Sequence, residues 1–204
     1  MGSEFLTSPF DNLLKPVDDH LIVHNELMSS LILGNKIQIH TSEHGIPDLD
    51  TTKIVIIGIP ENRNSIDYLG DELNLNEIRK SLYNLYPGNW STEIADLGNL
   101  ILGESVEQTY GRIISMLSIL FEKNIIPIII GGSHDLLYAN YRAYDSFKST
   151  VNIVNIDSNF DIGDSAKPIN NLSYLGKIIL DEPHNLFNYS NLGYQTYHNS
   201  QEEI

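Results

Sequence analysis

With 204 residues, of which 41% are hydrophobic, the chain is long enough and apolar enough for one sizeable domain with a packed core. Its 27 acidic and 12 basic residues give a formal net charge of −15, which argues against nucleic acid and anionic membranes as partners because both require clustered Lys and Arg. The absence of cysteine excludes disulfides and thiol chemistry and favours a cytoplasmic location.

Residues 1–50 show little regular pattern. MGSEF, residues 1–5, resembles a vector-derived leader, and residues 6–50 are predicted to be an N-terminal extension in which only KIQIH, residues 36–40, alternates. The chain does not begin with a basic region and an apolar run, so no signal peptide is predicted. Its longest apolar run, IIPIII at residues 125–130, is far shorter than the ~20 residues that span a bilayer.

From residue 51 to residue 204, apolar runs of strand length alternate with segments of helical periodicity. Strands are predicted, in chain order, in segments 53–60, 93–97, 125–130, 151–157 and 177–180. Helices are predicted in segments 73–86, 105–124 and 135–147. The apolar stripes of the first two helices are formed by Leu75, Ile78, Leu82 and Leu85, and by Val106, Tyr110, Ile113, Leu117 and Leu120.

Two of the predicted strands are continuous apolar runs. Segments 53–60 and 125–130 therefore predict strands covered on both faces, although Pro127 is tolerated only near the start of a strand or at a sheet edge. Strands that alternate with helices indicate βαβ crossovers and a mostly parallel sheet. We therefore expect an α/β fold, a three-layer α/β/α sandwich, over residues 51–204.

NIDSNFDIGD, residues 155–164, places Asp157, Asn159 and Asp161 at two-residue spacing directly after a predicted strand. An EF-hand calcium loop begins in the same way, but its sixth and twelfth positions need Gly and Glu, where this chain has Ile162 and Pro168. Residues two apart on an extended strand point the same way, so the three side chains form one row if the extended conformation continues to Asp161. The carboxyl end of a strand is where open α/β sheets bind ligands.

A glycine pair, Gly131-Gly132, follows the predicted strand 125–130 and precedes His134. Glycines allow a tight turn that brings the imidazole to the end of the strand. The dinucleotide motif G-x-G-x-x-G and the phosphate-binding motif G-x-x-x-x-G-K-[ST] are absent from the sequence. Because successive strands are often neighbours, one imidazole, two carboxylates and one carboxamide are expected to converge, a ligand set that suits Mn²⁺, Zn²⁺ or Fe²⁺ better than Ca²⁺. Taken singly, each motif is more often structural, as a core histidine or a turn cap.

The two motifs, GGSH at residues 131–134 and DSNFD at residues 157–161, resemble the first two metal motifs of the ureohydrolase (arginase–agmatinase–formimidoylglutamase) family. In that family the motifs read GG-x-H and D-A-H-x-D, each at the end of a strand. The resemblance extends over residues 53–204, and the small residue before His134 resembles the formimidoylglutamase-like branch. The resemblance implies an arginase-like fold and hydrolysis of the C–N bond of a small linear amidine or guanidine.

The resemblance also assigns roles to individual residues. It implies that His134, Asp157 and Asp161 bind one manganese ion, that Asp157 bridges to a second, and that Asp161 has the catalytic role of orienting hydroxide. Asn159 stands where the family has a histidine ligand of the second ion. A carboxamide oxygen is a weaker donor than an imidazole, so we expect one manganese site and a weakened second site.

Other family features have no match in the sequence. The third metal motif, S-F-D-x-D-x-x-D-P, does not occur before Ile204, and the catalytic-loop histidine is replaced in its region by residues 171–173, with His184 a poor substitute. Ser200 and Glu203 have the S-x-x-E spacing of a capping box, which predicts the start of a helix. We therefore expect the chain to be the amino-terminal portion of a longer arginase-fold protein and to be inactive alone.

Two other functions stay open on the sequence. The asparagine at position 159 favours a non-catalytic arginase-fold protein that acts as a binding or scaffold subunit. The glycine pair also fits a nucleotide-binding α/β protein that uses the pair as a phosphate turn. Asn140 and Arg142, on the helix predicted after His134, are as compatible with solvent-facing positions as with substrate recognition, and a homo-oligomer is compatible with the sequence.

Overall fold

The computed structural model describes residues 9–10, 12–68, 73–89, 93–164 and 166–204, so the expected leader at residues 1–5 lies outside the described residues. The strands are β1 (Leu14–Lys15), β2 (Gln38–Ile39), β3 (Ile54–Gly58), β4 (Ile94–Leu100), β5 (Ile126–Ile130), β6 (Val151–Ile156) and β7 (Leu186–Leu192). The α-helices are α1 (Asp19–Leu27), α2 (Asn76–Tyr83), α3 (Val106–Glu122), α4 (Leu136–Arg142) and α5 (Tyr174–Leu180). No described helix has the length and apolarity needed to cross a lipid bilayer.

The contacts divide the chain into two compact units. The first unit comprises the described residues of 9–60, 73–104 and 119–131, and the second comprises those of 61–68, 105–118 and 132–204. From β3 onward strands and helices alternate in both units, which confirms the predicted α/β class.

The sheet of the first unit is mostly parallel and has β3 near its centre. Its strand order is β1-β4-β3-β5, with β2 also paired with β4. The pairs of β3 with β4 and with β5 are parallel, as is the pair of β2 with β4, whereas β1 runs antiparallel to β4. The pairing of β1 and β2 with β4 means that the segment predicted as an N-terminal extension contributes strands to this sheet.

The two apolar runs differ in burial. Most of β3 is buried, as predicted for a strand covered on both faces. In β5, which ends the described strand order, Ile126 and Ile128 are 63% and 46% exposed, so the prediction of burial is wrong for these residues. Pro127 is thus accommodated near the start of an outer strand, the position in which its missing N–H costs least.

The apolar stripe predicted for α3 is buried at all five positions. The stripe predicted for segment 73–86 is wrong at two of its four positions. Ile78 and Leu85 are 50% and 57% exposed, and α2 buries Arg79 and Tyr83 instead. Arg79 turns inward because the carboxylate of Asp96 on β4 is buried and requires a cation that is buried beside it. Periodicity of apolar residues does not reveal such an ion pair.

Asp96 is hydrogen-bonded at both of its oxygens. Its Oδ2 accepts from Arg79 Nε at 2.9 Å and from the Tyr83 hydroxyl at 2.8 Å. Its Oδ1 accepts from Arg79 Nη2 at 3.2 Å and from the Gly98 N–H at 2.9 Å. Arg79 also donates to Asn99 Oδ1 at 2.7 Å and to the Gly98 carbonyl at 2.8 Å. Satisfied hydrogen bonds of this kind are the condition under which a buried ion pair is tolerated.

The second unit contains a two-stranded parallel sheet of β6 and β7. Its core consists of Tyr141, Ile153, Tyr174, Leu175 and Ile178. The strand predicted at 177–180 is wrong, because these residues form the last turn of α5. Tyr174 and Ile178 lie one helical turn apart and are both buried, whereas the apolar run of residues 178–180 alone suits either element.

β7 was not predicted, and its sequence, LFNYSNL, explains why. Asparagine and serine are depleted in strands, and the alternation of apolar residues is incomplete. The strand is held instead by backbone pairing with β6 from Val151 opposite Leu186 to Ile156 opposite Leu192. The capping-box contact is present in part, since the Ser200 N–H donates to Glu203 at 3.1 Å within a turn at residues 201–203.

Replacing Arg79 with Met should lower the free energy of unfolding by about 3–5 kcal/mol, because it leaves the buried carboxylate of Asp96 without its cation. Lys80→Met, at the neighbouring exposed position on α2, should change it by less than about 0.5 kcal/mol. Urea denaturation followed by circular dichroism measures both. Equal small losses in the two variants would contradict the structural role of the ion pair.

Candidate metal centre

The turn between β5 and α4 depends on its glycines. Gly131 and Gly132 have φ angles of +84° and +83°, in the region that L side chains rarely adopt. A Cβ atom on Gly131 would also lie 2.3 Å from Leu75 Cδ2, so no larger residue fits there. The predicted backbone role of the glycine pair is therefore present in the structure.

The residues around His134 are fixed by a buried carboxylate. Asp135 is fully buried and accepts hydrogen bonds from the hydroxyls of Ser133 and Tyr110. The Ser133 N–H donates to the Glu61 carbonyl at 2.9 Å. These contacts anchor the residues on both sides of His134 and leave its imidazole 61% exposed.

The segment after β6 turns instead of remaining extended. β6 ends at Ile156, and Asp161 has a φ angle of +57°, in the left-handed region. The extended conformation that a single row of Asp157, Asn159 and Asp161 requires therefore does not continue to Asp161. Asp161 reaches its position through the turn, and its carbonyl accepts from the Leu175 N–H, in the first turn of α5, at 3.1 Å.

Three of the predicted site residues lie together. His134 Nδ1 is 3.1 Å from Asp157 Oδ2 and 3.4 Å from Asp161 Oδ2. One nitrogen or oxygen from each of the three residues lies within 4.8 Å of the others. The side chain of Asp161 is 1% exposed and that of Asp157 is 13% exposed, so the two carboxylates are largely removed from water.

The carboxylates have fewer hydrogen-bond donors than they need. Among the described residues, no donor is within hydrogen-bonding geometry of Asp157 Oδ2 or Asp161 Oδ1, and both atoms are buried. The hydrogen bond to Asp161, with the charges of both carboxylates, raises the pKa of His134 against the opposing effect of burial. Burial and then the charge of Asp161 raise the pKa of the Tyr174 hydroxyl. Buried carboxylate oxygens without partners are costly, and a divalent cation between the three side chains would satisfy them.

Asn159 is near this cluster, but its side chain already has a partner. Its Oδ1 accepts from the Ser158 hydroxyl at 2.9 Å, and its N–H donates to Asp157 Oδ1 at 3.0 Å. Its carbonyl accepts from Asn191 Nδ2 at 2.6 Å. The asparagine thus helps to shape the turn that carries the two aspartates.

The cluster opens into a cavity of about 240 Å³. The cavity is lined by Ser65, Asp67, Ser133, His134, Asp157, Ser158, Asn159, Asp161, Asn171 and Leu172. Ser65 and Asp67 were missed by the sequence analysis, although the polar segment that follows β3, ENRNSID, is the pattern that marks the carboxyl end of a parallel strand. Asn171 and Leu172 lie in the region that the resemblance assigned to the catalytic loop.

Other residues considered on the sequence are not in the cavity lining. His184 is exposed and does not line the cavity. Arg142 is buried, so of the two roles left open by the sequence the solvent-facing one does not apply to it. Its guanidinium donates to the carbonyls of Glu182 and Pro183 at 3.0 and 3.1 Å, so Arg142 stabilises the turn between α5 and β7.

A second cavity of about 210 Å³ shares Asn159, Asp161 and Leu172 with the first, and its other lining residues are Gly163, His198, Asn199 and Glu203. The turn that carries the aspartates is supported from this side. Asn199 Oδ1 accepts from the Phe160 N–H at 2.7 Å, and Asn199 Nδ2 donates to the Ser158 carbonyl at 2.9 Å. The segment after β7 therefore holds the turn in place.

The fold and this cluster define a class: an α/β protein whose strand-end turns bring one histidine and two aspartates together as a candidate site for a divalent metal. The family follows from the comparison with known proteins. The model of the Arginase family matches residues 52–204, and the chain belongs to the arginase family.

The relatives at the sequence level include formimidoylglutamases. That of Halalkalibacterium halodurans is 26% identical over 52% of this chain and 37% of its own length. That of Lysinibacillus sphaericus is 27% identical over 62% of this chain and 40% of its own length. A solved structure of Trypanosoma cruzi formiminoglutamase with Mn²⁺ has a TM-score of 0.68 at 18% identity and covers 84% of this chain and 60% of that chain. The chain therefore covers less than two thirds of the length of each of these relatives.

Replacing Asp161 with Asn should stabilise the protein in EDTA, because it removes a buried charge beside Asp157 without changing the shape of the side chain. Asparagine also tolerates the left-handed backbone of this position. We expect the melting temperature to rise by about 2–4 °C, the equivalent of about 1 kcal/mol for a chain of this size.

The control for this variant is Asp164→Asn, at an exposed position paired with Lys167 at 3.5 Å, which should leave the melting temperature nearly unchanged. Differential scanning calorimetry in EDTA measures both variants. A fall in the melting temperature of Asp161→Asn would show that the carboxylate is held by favourable contacts.

Proposed function

We propose that the protein containing this chain is a metal-dependent hydrolase of C–N bonds in linear amidines or guanidines. The proposal rests on one observation, the convergence of His134, Asp157 and Asp161 around buried carboxylate oxygens that lack donors among the described residues. Membership of the arginase family supports the hydrolytic class. The chain covers 60% or less of the relatives compared, so the activity is proposed for the whole protein.

The metal that we propose is manganese, the ion present in the solved formiminoglutamase. His134, Asp157 and Asp161 would hold it, and Asp157 would also serve a second ion. When bound, manganese supplies Lewis acidity, which lowers the pKa of water so that hydroxide is available near neutral pH.

The residues of the chain position the reactants. Asp161, almost completely buried and held by α5, is proposed to accept a hydrogen bond from the attacking water and to direct its lone pair toward the planar carbon of the substrate. The Tyr174 ring lies edge-on to the His134 ring, with centroids 6.3 Å apart and an interplanar angle of 85°. Tyr174 thus packs against the imidazole on the side of α5.

If the proposal is correct, Mn²⁺ should raise the melting temperature of the protein, since a ligand at 100 times its Kd stabilises the native state by about 2.7 kcal/mol. His134→Ala should abolish this increase, because it removes the only imidazole of the cluster. His184→Ala should retain it, because His184 is exposed and outside the cavity lining. Equal increases in the wild type and in His134→Ala would contradict the assignment of the ligands.

The same three proteins, prepared at full length with Mn²⁺, test the reaction. Ammonia release is measured from formimidoylglutamate, arginine and agmatine. The wild type and His184→Ala should hydrolyse at least one of them, and His134→Ala should lose at least about 100-fold in rate. Manganese binding without release of ammonia from any of the three would instead support a binding or scaffold subunit.

The number of manganese ions bound per chain is also testable. Replacing Asn159 with His should raise the manganese bound per chain from about one toward two, because an imidazole is a stronger donor than a carboxamide. Asn152→His, at an exposed position on β6, should leave the metal content unchanged. Plasma mass spectrometry after gel filtration measures the ratio. If Asn159→His lowers both metal content and hydrolysis, the asparagine serves a site that differs from the one proposed, and it is not a weakened ligand of a second ion.

A further inference from the structure

The hydroxyl of Tyr110 connects three segments of the second unit. On the sequence Tyr110 belongs only to the apolar stripe of α3, and its side chain is buried accordingly. Its hydroxyl nevertheless makes two polar contacts, because it donates to the carboxylate of Asp135 and accepts from Asn64 Nδ2 at 3.0 Å. The segment after β3, helix α3 and the turn that carries His134 are therefore joined at one hydroxyl group.

Asp135 has an unusual use of its carboxylate. It occupies the N-cap position of α4, where an aspartate ordinarily accepts a hydrogen bond from a backbone N–H of its own helix. Its side chain makes no such bond to the described residues of α4. Its two oxygens accept instead from the hydroxyls of Tyr110 and Ser133, and the residue is fully buried. The carboxylate thus fastens the turn before α4 to α3 and does not cap its own helix.

His134 needs a restraint of this kind because its own side chain has few contacts. The imidazole is 61% exposed, and the backbone before it passes through Gly132 at a φ angle of +83°, a residue type with the greatest conformational freedom. A metal site requires each ligand to be held within about 0.5 Å of its productive position by surrounding contacts. The hydrogen bonds of Asp135 supply that restraint directly after His134.

We propose that Tyr110 is a positioning residue that acts through Asp135 to hold the imidazole of His134 in place for a metal ion. The inference rests on the proposed function, in which His134 is a ligand of manganese. Tyr110 does not line the metal cavity, so it affects the ion through the turn that carries the ligand. An imidazole that is fixed before the ion arrives loses less conformational freedom on binding, and the affinity is higher for that reason.

Calorimetric titration of the full-length protein with Mn²⁺ tests the inference. Tyr110→Phe removes the hydroxyl and keeps the ring, whose centroid lies 6.0 Å from that of the Tyr138 ring. The Kd for Mn²⁺ should rise about tenfold, the lower end of the range for a residue that orients a metal ligand. Ser133→Ala removes the other hydroxyl bound to Asp135 and should shift the Kd in the same direction. It is the second variant if Tyr110→Phe does not fold.

Tyr138→Phe is the matched control. Tyr138 lies on α4 and its hydroxyl donates to Asp181 Oδ2 at 2.8 Å, so this variant also loses a hydrogen bond from tyrosine to aspartate but leaves Asp135 unchanged. Both phenylalanine variants should lower the melting temperature of the metal-free protein by about 2–4 °C, and only Tyr110→Phe should raise the Kd. An equal Kd in the wild type, Tyr110→Phe and Ser133→Ala would overturn the inference, since the hydroxyls would then have a structural role alone.

Carbon-13 relaxation of the His134 ring in the metal-free protein separates this inference from the proposed function. The order parameter of the Cε1–H bond, with the signal assigned by its loss in His134→Ala, should fall in Tyr110→Phe and stay at the wild-type value in Tyr138→Phe. Absence of manganese binding to the wild type would overturn the proposed function, whereas this fall would still support the role of Tyr110. An unchanged order parameter and an unchanged Kd in Tyr110→Phe, in a protein that binds manganese and releases ammonia, would overturn the inference alone.

Discussion

The repulsion between two carboxylates that are held together and largely removed from water is the constraint on which the second unit depends. Asp157 and Asp161 both lie against His134 Nδ1, at 3.1 and 3.4 Å, and one imidazole cannot supply donors to all of their oxygens. The surrounding structure therefore has to hold the pair in place. The N–H of Asn159, the start of α5 and the segment after β7 each bind the turn between the two aspartates, so the cluster persists although its own electrostatics oppose it.

The first unit also buries a carboxylate, but there the protein itself supplies all of its hydrogen-bond partners. There, Asp96 is as deeply buried as Asp161, but both of its oxygens accept two hydrogen bonds and a guanidinium neutralises it. A carboxylate whose partners are all supplied by the protein has nothing left to offer a ligand, so Asp96 has a structural role. Asp157 and Asp161 each keep a buried oxygen without a donor among the described residues, and this difference separates a site that binds from a site that only stabilises.

The sequence predicted the alternation of strands and helices, the buried stripe of α3 and the glycine turn before His134, because each of these depends on local periodicity or on a backbone conformation that only glycine adopts readily. It failed where a tertiary contact overrides the local pattern. Arg79 is buried because of Asp96, a residue on another element. Residues 177–180 are helical because Tyr174 and Leu175 extend the apolar face toward the core. β7 exists because β6 pairs with it.

In the candidate site, too, residues in local motifs were predicted and a residue that depends on a distant contact was not. His134, Asp157 and Asp161 were found because their motifs follow predicted strands, whereas Asp67 was missed because its place depends on Asn171, which is 104 residues away. Asn159 also has contacts that its position in the motif does not predict. Its N–H binds Asp157, its side chain binds Ser158, and its carbonyl binds Asn191. Asparagine suits such a turn because its short carboxamide bonds readily to nearby polar groups. Two of these three contacts are made by backbone atoms of Asn159, and they hold the turn that carries the two aspartates.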